Sequence, residues 1–355
     1  MRICLLGPTE HPVAEPFAGG LEAMTHALAA GLGARGHDVT LFAHRDSDPR
    51  LPVRLWAPAD FAPSPAAARD GRAPSLRTVV EHHQYLDLMT RLAGDLAGDF
   101  DVVHHNGLHE LPLLLAATLR APMITTLHTP PLPLWESTLA VTGPRSSFVA
   151  VSEHVRRSWS HCLSSVVVRN GLDLTRWRSG DGGGPAVWSG RLVPEKAPHE
   201  AIDACRAAGV PLVLAGPVHD REYVEREVTP RLGAGATYLG HLRHEELGDW
   251  LRRASVAVVT PAWDEPYGLV VSEALASGTP VAGYDRGALS EIVAPGSGVL
   301  VPSGDVSALA GAVRAARSLD RQHVRRRAEA VCSASWMIEQ YEHCYAGLVD
   351  PLVAA

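Results

Sequence analysis

Four consecutive apolar residues, Val256-Ala257-Val258-Val259, run into a turn-rich crossing through Thr260, Pro261, Trp263 and Asp264 and then a helical pattern from Tyr267 to Ser277. A short unbroken apolar run of this kind reads as a parallel strand buried on both faces, and parallel pairing needs a long crossover, usually a helix. The unit recurs along the chain. Strands are predicted at Arg2–Gly7, Val39–Ala43, Asp101–His105, Met123–Leu127 and Ser147–Val151, and again at Ala186–Ser189, Leu212–Ala215, Thr237–Leu239 and Pro280–Gly283. Helical patterns lie between them, among them Val79–Leu96, Glu110–Leu119, Pro198–Ala208, Glu222–Leu232 and Glu245–Arg253. The fold class is therefore α/β with doubly wound, Rossmann-like parallel sheets.

With 355 residues the chain can build two domains, each with its own core. The run Ser179–Pro185, with Gly182-Gly183-Gly184, is its most linker-like stretch. It divides an N-terminal domain, 1–172, from a C-terminal domain, 185–334.

Ligands of doubly wound sheets gather beyond the carboxyl ends of the strands, so the residues there are the candidates for chemistry. After the strand at 256–259 come Glu265 and, eight residues later, Glu273, straddling a strand-to-helix junction. Gly268 between them allows close backbone approach, and the first helical turn, Leu269 and Val270, offers free amides and the positive dipole end to a phosphate. Glu273 can accept from vicinal ribose hydroxyls and Glu265 from a second sugar. After Ala186–Ser189 come Gly190, Arg191 and Lys196, the only lysine among 32 Lys and Arg residues. A guanidinium fork and an ammonium point charge five residues apart can hold one diphosphate. Gly19-Gly20 opens a helix after the first strand, a second anion cradle. The nearby Gly31-Leu32-Gly33-Ala34-Arg35-Gly36 matches a dinucleotide fingerprint in letters only, since it ends a helix instead of opening one. His104, His105, His109 and His128 follow strands of the first half. Clustered histidines raise a metal reading, but no acidic or cysteine partner stands at ligand spacing.

The run Glu265-Pro266-Tyr267-Gly268-Leu269-Val270-Val271-Ser272-Glu273, followed by Ala274 to Pro280, resembles the Glu-x7-Glu signature of the retaining family-4 glycosyltransferases with the GT-B fold. Gly190-Arg191-Leu192 with Lys196 resembles the family's diphosphate-holding motif, although Ala197 stands where a glycine usually follows the lysine. Asn170-Gly171-Leu172-Asp173 and Gly287–Glu291 resemble further family turns. The resemblance covers most of the chain. It implies two Rossmann-like domains facing across a cleft, with a C-terminal helix within 335–355 packing back onto the first. It also implies sugar transfer from a nucleoside diphosphate donor of UDP, GDP or ADP type to a small-molecule or glycan acceptor. No metal or other cofactor is implied. It assigns His128 to the reaction centre, Glu265 to the donor sugar, and Arg191 and Lys196 to the leaving diphosphate. Gly19, Gly20, Gly190, Leu242, Tyr267, Gly268, Leu269, Val270 and Glu273 become donor-binding positions.

Other readings stay open on the sequence. A metal-dependent transferase of the other main fold needs Asp-x-Asp, which Asp46-Ser47-Asp48 and Asp99-Phe100-Asp101 match loosely. A nucleotide-sugar epimerase, a phosphorylase-like enzyme or a non-catalytic nucleotide-sugar-binding module would share the cleft. The formal charge of −7 argues against nucleic acid as a partner. Five scattered cysteines, never in a C-x-x-C pair, suggest neither zinc nor a disulfide framework and point to the cytoplasm. No signal-peptide layout or membrane-spanning run is visible, which leaves peripheral membrane contact open.

Overall fold

The computed structural model describes residues 1–233 and 235–350. The first half forms a seven-stranded sheet of β1 (Arg2–Leu6), β2 (Asp38–Phe42), β3 (Arg54–Trp56), β4 (Val102–His105), β5 (Met123–Leu127), β6 (Ser147–Ala150) and β7 (Val166–Val167). Its spatial order is β3-β2-β1-β4-β5-β6-β7, and every pairing is parallel. The second half forms β8 (Ala186–Ser189), β9 (Leu212–Ala215), β10 (Ala236–Tyr238), β11 (Ala257–Val259), β12 (Val281–Tyr284) and β13 (Gly298–Val301). These run in the order β10-β9-β8-β11-β12-β13, again all parallel. The chain is thus two doubly wound α/β domains in the GT-B arrangement; the central strands are buried as the unbroken apolar runs require, and the outer strands β3, β7, β10 and β13 are partly exposed.

Strand order explains where the motifs fall. In each sheet the chain builds outward in one direction, returns, and builds the other way, leaving a crevice between the first strand and the one laid beside it on return. In the second sheet that switch point lies between β8 and β11, whose carboxyl ends run directly into Gly190–Lys196 and Thr260–Gly268. In the first it lies between β1 and β4, ahead of the loop 7–19.

The last helix, Ala334–Val349, packs on the helix Gly20–Ala34 and on β4. Tyr341 and Tyr345 are fully buried there, and the Tyr345 hydroxyl lies 2.7 Å from His104 Nδ1. Of the C-terminal stretch 335–355 expected to pack back, 351–355 lie outside the described residues. Of the fingerprint-like glycines, Gly31 sits inside the first helix against Ile338, Gly33 against the Pro52 backbone, and Gly36 takes a positive φ (85°) in the turn that follows.

Several predicted elements differ. The glycine run at 180–184 is packed against the end of the helix His244–Arg253 instead of hanging free. The Gly184 amide donates to the Arg253 carbonyl at 2.8 Å, and a Cβ on Gly180 or Gly184 would strike that backbone. Glycine serves close approach here, not slack. The expected helix Glu222–Leu232 breaks into a short α turn, a π turn and the 3₁₀ turn Thr229–Arg231, where Pro230 has no amide to continue the ladder. The helix at 110–119 is likewise an α segment, Leu111–Leu115, closed by a 3₁₀ turn.

Candidate functional site

A cleft of about 560 Å³ lies between the two sheets, lined from both. All thirteen predicted site residues border it: Gly19, Gly20, His128, Gly190, Arg191, Lys196, Leu242, Glu265, Tyr267, Gly268, Leu269, Val270 and Glu273.

The loop after β8 turns through a 3₁₀ segment, Pro194–Lys196, ending at Ala197. Ala197 is in the left-handed region (φ 43°), the only non-glycine at positive φ among the described residues. The usual glycine there avoids this strain, worth about 1–2 kcal/mol for an L-residue. The Thr260 hydroxyl steadies the turn by donating to the carbonyls of Lys196 (2.8 Å) and Ala197 (3.0 Å). Lys196 Nζ is ion-paired with Glu265 Oε2 and sits 5.1 Å above the Trp263 ring. The Trp263 indole N–H donates to the same carboxylate at 3.2 Å. The lysine and the first glutamate of the pair, sequence motifs 69 residues apart, are thus one charged unit. Arg191 has only a loose pairing, 3.8 Å from Glu195, so its fork stays available to an anion.

The helix Leu269–Ala276 starts at Gly268, whose φ of 99° suits glycine and no side chain caps the first turn, leaving its amides for a ligand. Gly287, in the turn after β12, has φ 66°, and a Cβ there would collide with the Glu265 backbone. The Ala288 amide donates to the Glu265 carbonyl at 2.8 Å. Glycine at 287 therefore sets where Glu265 stands. Glu291, in the short helix Leu289–Ile292 that follows, accepts from the amides of Glu153 (2.9 Å) and His154 (2.7 Å) at the start of the helix Glu153–Ser158, clasping the two halves together. The Tyr267 hydroxyl donates to the Asn170 carbonyl at 2.6 Å. That side chain is a brace between the domains, which leaves its backbone to face the cleft.

Across the cleft, the two-glycine start of the first helix meets the second one: a Cβ on Gly20 would lie 3.2 Å from Leu269 Cδ1. Two helix N-termini therefore face the same space. Glu273 is 5% exposed, and burial pushes its carboxyl up to about 7. Its nearest basic group, His244 at 3.7 Å, is held neutral by burial, which lowers it to about 4. His128 is likewise kept neutral, lowered to about 3 by burial, and its Nε2 lies 2.9 Å from Asn106 Oδ1. The Asn106 amide donates onward to Thr25 Oγ1 at 2.8 Å. With Nε2–H donating to Asn106, Nδ1 is left as an acceptor.

Comparison with known proteins decides the family. Residues 182–330 match the model described as glycosyl transferases group 1, and residues 18–176 match that of glycosyltransferase family 4. A glycogen synthase of Mycobacterium tuberculosis is 31% identical over 93% of this chain and 89% of its own length. The chain belongs to the family-4 glycosyltransferases. Solved structures agree on the fold. The sucrose-phosphate synthase of Thermosynechococcus elongatus superposes with a TM-score of 0.78 at 22% identity, covering 100% of both chains. Anabaena HepE, in complex with UDP and glucose, gives 0.74 at 19% identity over 98% of this chain and 100% of its own.

Of the four histidines expected at this glycosyltransferase's cleft, only His128 lines it. β4 extends through His105, so the other two strand histidines are core residues, both fully buried. His104 bonds Tyr345 and, at 2.7 Å, Thr126 Oγ1, while His105 packs beside the Trp135 ring. His109 stacks on Tyr85 outside the lining. His82, His109 and Glu110 do bring ligand-type atoms within 4.8 Å of one another, off the cleft, but the Leu111 amide donates to His109 Nδ1 at 3.2 Å. Neither Asp-x-Asp pair borders the cleft. Asp48 is held by Arg50 at 2.9 Å and Asp101 by Arg2 at 2.6 Å. The sequence reading missed Glu10, Glu22, Arg77 and Glu81, which the first half adds to the lining, and His219, His241 and His244 from the second. Only Glu22, two residues after Gly-Gly, had a positional clue. All five cysteines are free, and among the described residues no helix is long and apolar enough to cross a membrane.

Proposed function

We propose that this glycosyltransferase moves a hexose-type sugar from a nucleoside diphosphate donor to an acceptor hydroxyl, with retention of anomeric configuration and without a metal. One observation carries the reading. Arg191, Lys196 and the uncapped helix start at Leu269 converge on one cleft at the second sheet's switch point, opposite Gly19-Gly20. That is a site for a diphosphate. HepE was crystallised with UDP and glucose, so UDP-glucose is the first donor to test.

In this scheme the bond between the anomeric carbon and the phosphate oxygen breaks as the acceptor oxygen bonds to the carbon from the same face, and the leaving phosphate takes the acceptor proton. Catalysis then consists of stabilising separating charge with groups already in place. Arg191, Lys196 and the amides of Leu269 and Val270 hold the diphosphate. A diphosphate drawing Lys196 forward frees Glu265 to accept sugar hydroxyls. Glu273 accepts the ribose hydroxyls, Leu242 borders the base, and neutral His128 offers Nδ1 at the reaction centre. Two cations and two helix dipoles supply the charge that a metal provides in other transferases. The five cysteines, none bonded to another, fit a cytoplasmic enzyme.

The test is a screen of UDP, GDP and ADP sugars for hydrolysis or transfer, with the product anomer read by NMR and EDTA added in parallel. Release of the donor's own anomer, unaffected by EDTA, supports the proposal. An inverted product, or activity abolished by EDTA and restored by a divalent ion, overturns it.

A further inference from the structure

The first sheet's side of the cleft carries charged groups that the donor has no use for. Glu22 enters from the helix Gly20–Ala34, Arg77 and Glu81 from the helix Leu76–Ala93, and Glu10 and His11 from the loop after β1. They are not equivalent. Arg77, the only guanidinium or ammonium this half brings to the cleft, donates to Glu10 and is neutralised in place. His11 lies 3.2 Å from the other oxygen of Glu10. Glu22 and Glu81, by contrast, make no hydrogen bond or ion pair with another side chain among the described residues. Glu22 is only 6% exposed and lines the cleft; its one hydrogen bond is to its own backbone amide, and His11 and Arg191 act on its charge without bonding to it.

A carboxylate buried without a partner is costly, and its cost is offset when a ligand brings donors or a positive charge. The cleft is accordingly polarised. Arg191 and Lys196 come from the second half, and two carboxylates without a hydrogen-bond partner on another side chain come from the first, Glu22 within reach of Arg191 and Glu81 beside Glu10, Glu110 and Arg77. A phosphorylated acceptor placed against Glu81 would meet like charge from Glu10, Glu81 and Glu110, with Arg77 already committed to Glu10. A ring with hydroxyls and a protonated amine would satisfy both carboxylates with charge-assisted hydrogen bonds.

We propose that Glu22 and Glu81 form an acceptor subsite for a protonated amine on a hydroxyl-rich ring, an amino sugar or aminocyclitol, and select against phosphorylated acceptors. The inference rests on the sugar-transfer reading in that it takes the opposite end of the cleft to be the donor's.

Three ring-matched probes test it: glucosamine, glucose and glucose 6-phosphate, titrated calorimetrically at neutral pH into protein saturated with UDP. Glucosamine should bind about tenfold more tightly than glucose, the scale of one charge-assisted bond replacing a neutral one, with glucose 6-phosphate weakest. The preference should collapse in both Glu22→Gln and Glu81→Gln. Because Glu22 is buried, Glu81→Gln on the more open helix serves as the second variant should Glu22→Gln not fold. Tightest binding of glucose 6-phosphate, no amine preference in the wild type, or a preference unchanged in Glu81→Gln overturns the proposal. The UDP titration separates the two readings. Protein that takes UDP but does not discriminate the amine keeps the donor site and loses this one, and protein that prefers the amine but ignores UDP does the reverse.

Discussion

Replacing Glu273 by Gln separates what this carboxylate does for a ligand from what it costs the fold. Burial raises its pKa from 4.5 to about 7, and neutral His244 does not offset the charge. At about 1.4 kcal/mol per pH unit, that gap is worth about 3 kcal/mol. The folded form binds the proton more tightly than the unfolded chain. The stabilisation is therefore fully present below about pH 4.5 and is lost as pH rises through about 7. Glutamine is neutral throughout. Without ligand, the variant should be more stable than the wild type by about 3 kcal/mol near pH 8, a gap falling below about 1 kcal/mol near pH 5. For domains of this size the pH 8 difference corresponds to a melting shift of roughly 6–12 °C. UDP affinity should move the other way, falling tenfold or more as a charged acceptor for the ribose becomes a neutral one. Thermal melts with and without UDP at the two pH values read both effects. A variant that melts at or below the wild type near pH 8 and binds UDP unchanged would refute both the buried charge and the ribose contact.

Lys196→Ala and Glu265→Ala should each lower turnover about a hundredfold, the scale of losing one preorganised stabilising group, in steady-state assays with the identified donor. Gly287→Ala should lower the melting temperature, since the left-handed backbone alone costs about 1–2 kcal/mol, and should abolish transfer by displacing Glu265. Acid should unfold the protein through its buried histidines. His105 and His128 are lowered from 6.5 to about 3 by burial, so the unfolded chain takes up protons first and stability falls as pH drops below about 6.5. Each contributes a loss of about 2 kcal/mol by about pH 5. Denaturation midpoints measured against pH should fall less steeply in His128→Gln; an identical slope would argue that His128 is solvated.

The fold and the second half's lining of the cleft were legible because both are written in local strand-loop-helix signals. Val256–Val259 and the residues after it name a buried strand, its carboxyl-end loop and a helix start in one continuous stretch, and a switch point needs no more. The first half's charged lining was not legible. Glu22 and Glu81 come from separate helices, and nothing local marks a carboxylate that faces a cleft over one that faces water. The histidines failed for a related reason. The strand end at His105 was as expected, but the last strand residues stay inside the sheet, where alternation sends His104 to Tyr345 and His105 to Trp135 instead of into the cleft. The glycine run read as slack because composition does not distinguish a flexible glycine from one, like Gly180 or Gly184, that lets two backbones touch.

The central claim is a diphosphate gripped at the second sheet's switch point, and the most direct measurement is a crystal structure of the protein with a nucleoside diphosphate sugar. The account predicts phosphate oxygens within hydrogen-bond distance of Arg191, Lys196 and the Leu269 amide, with the ribose on Glu273. Phosphates bound elsewhere, with Lys196 still paired to Glu265 at saturating donor, would contradict it.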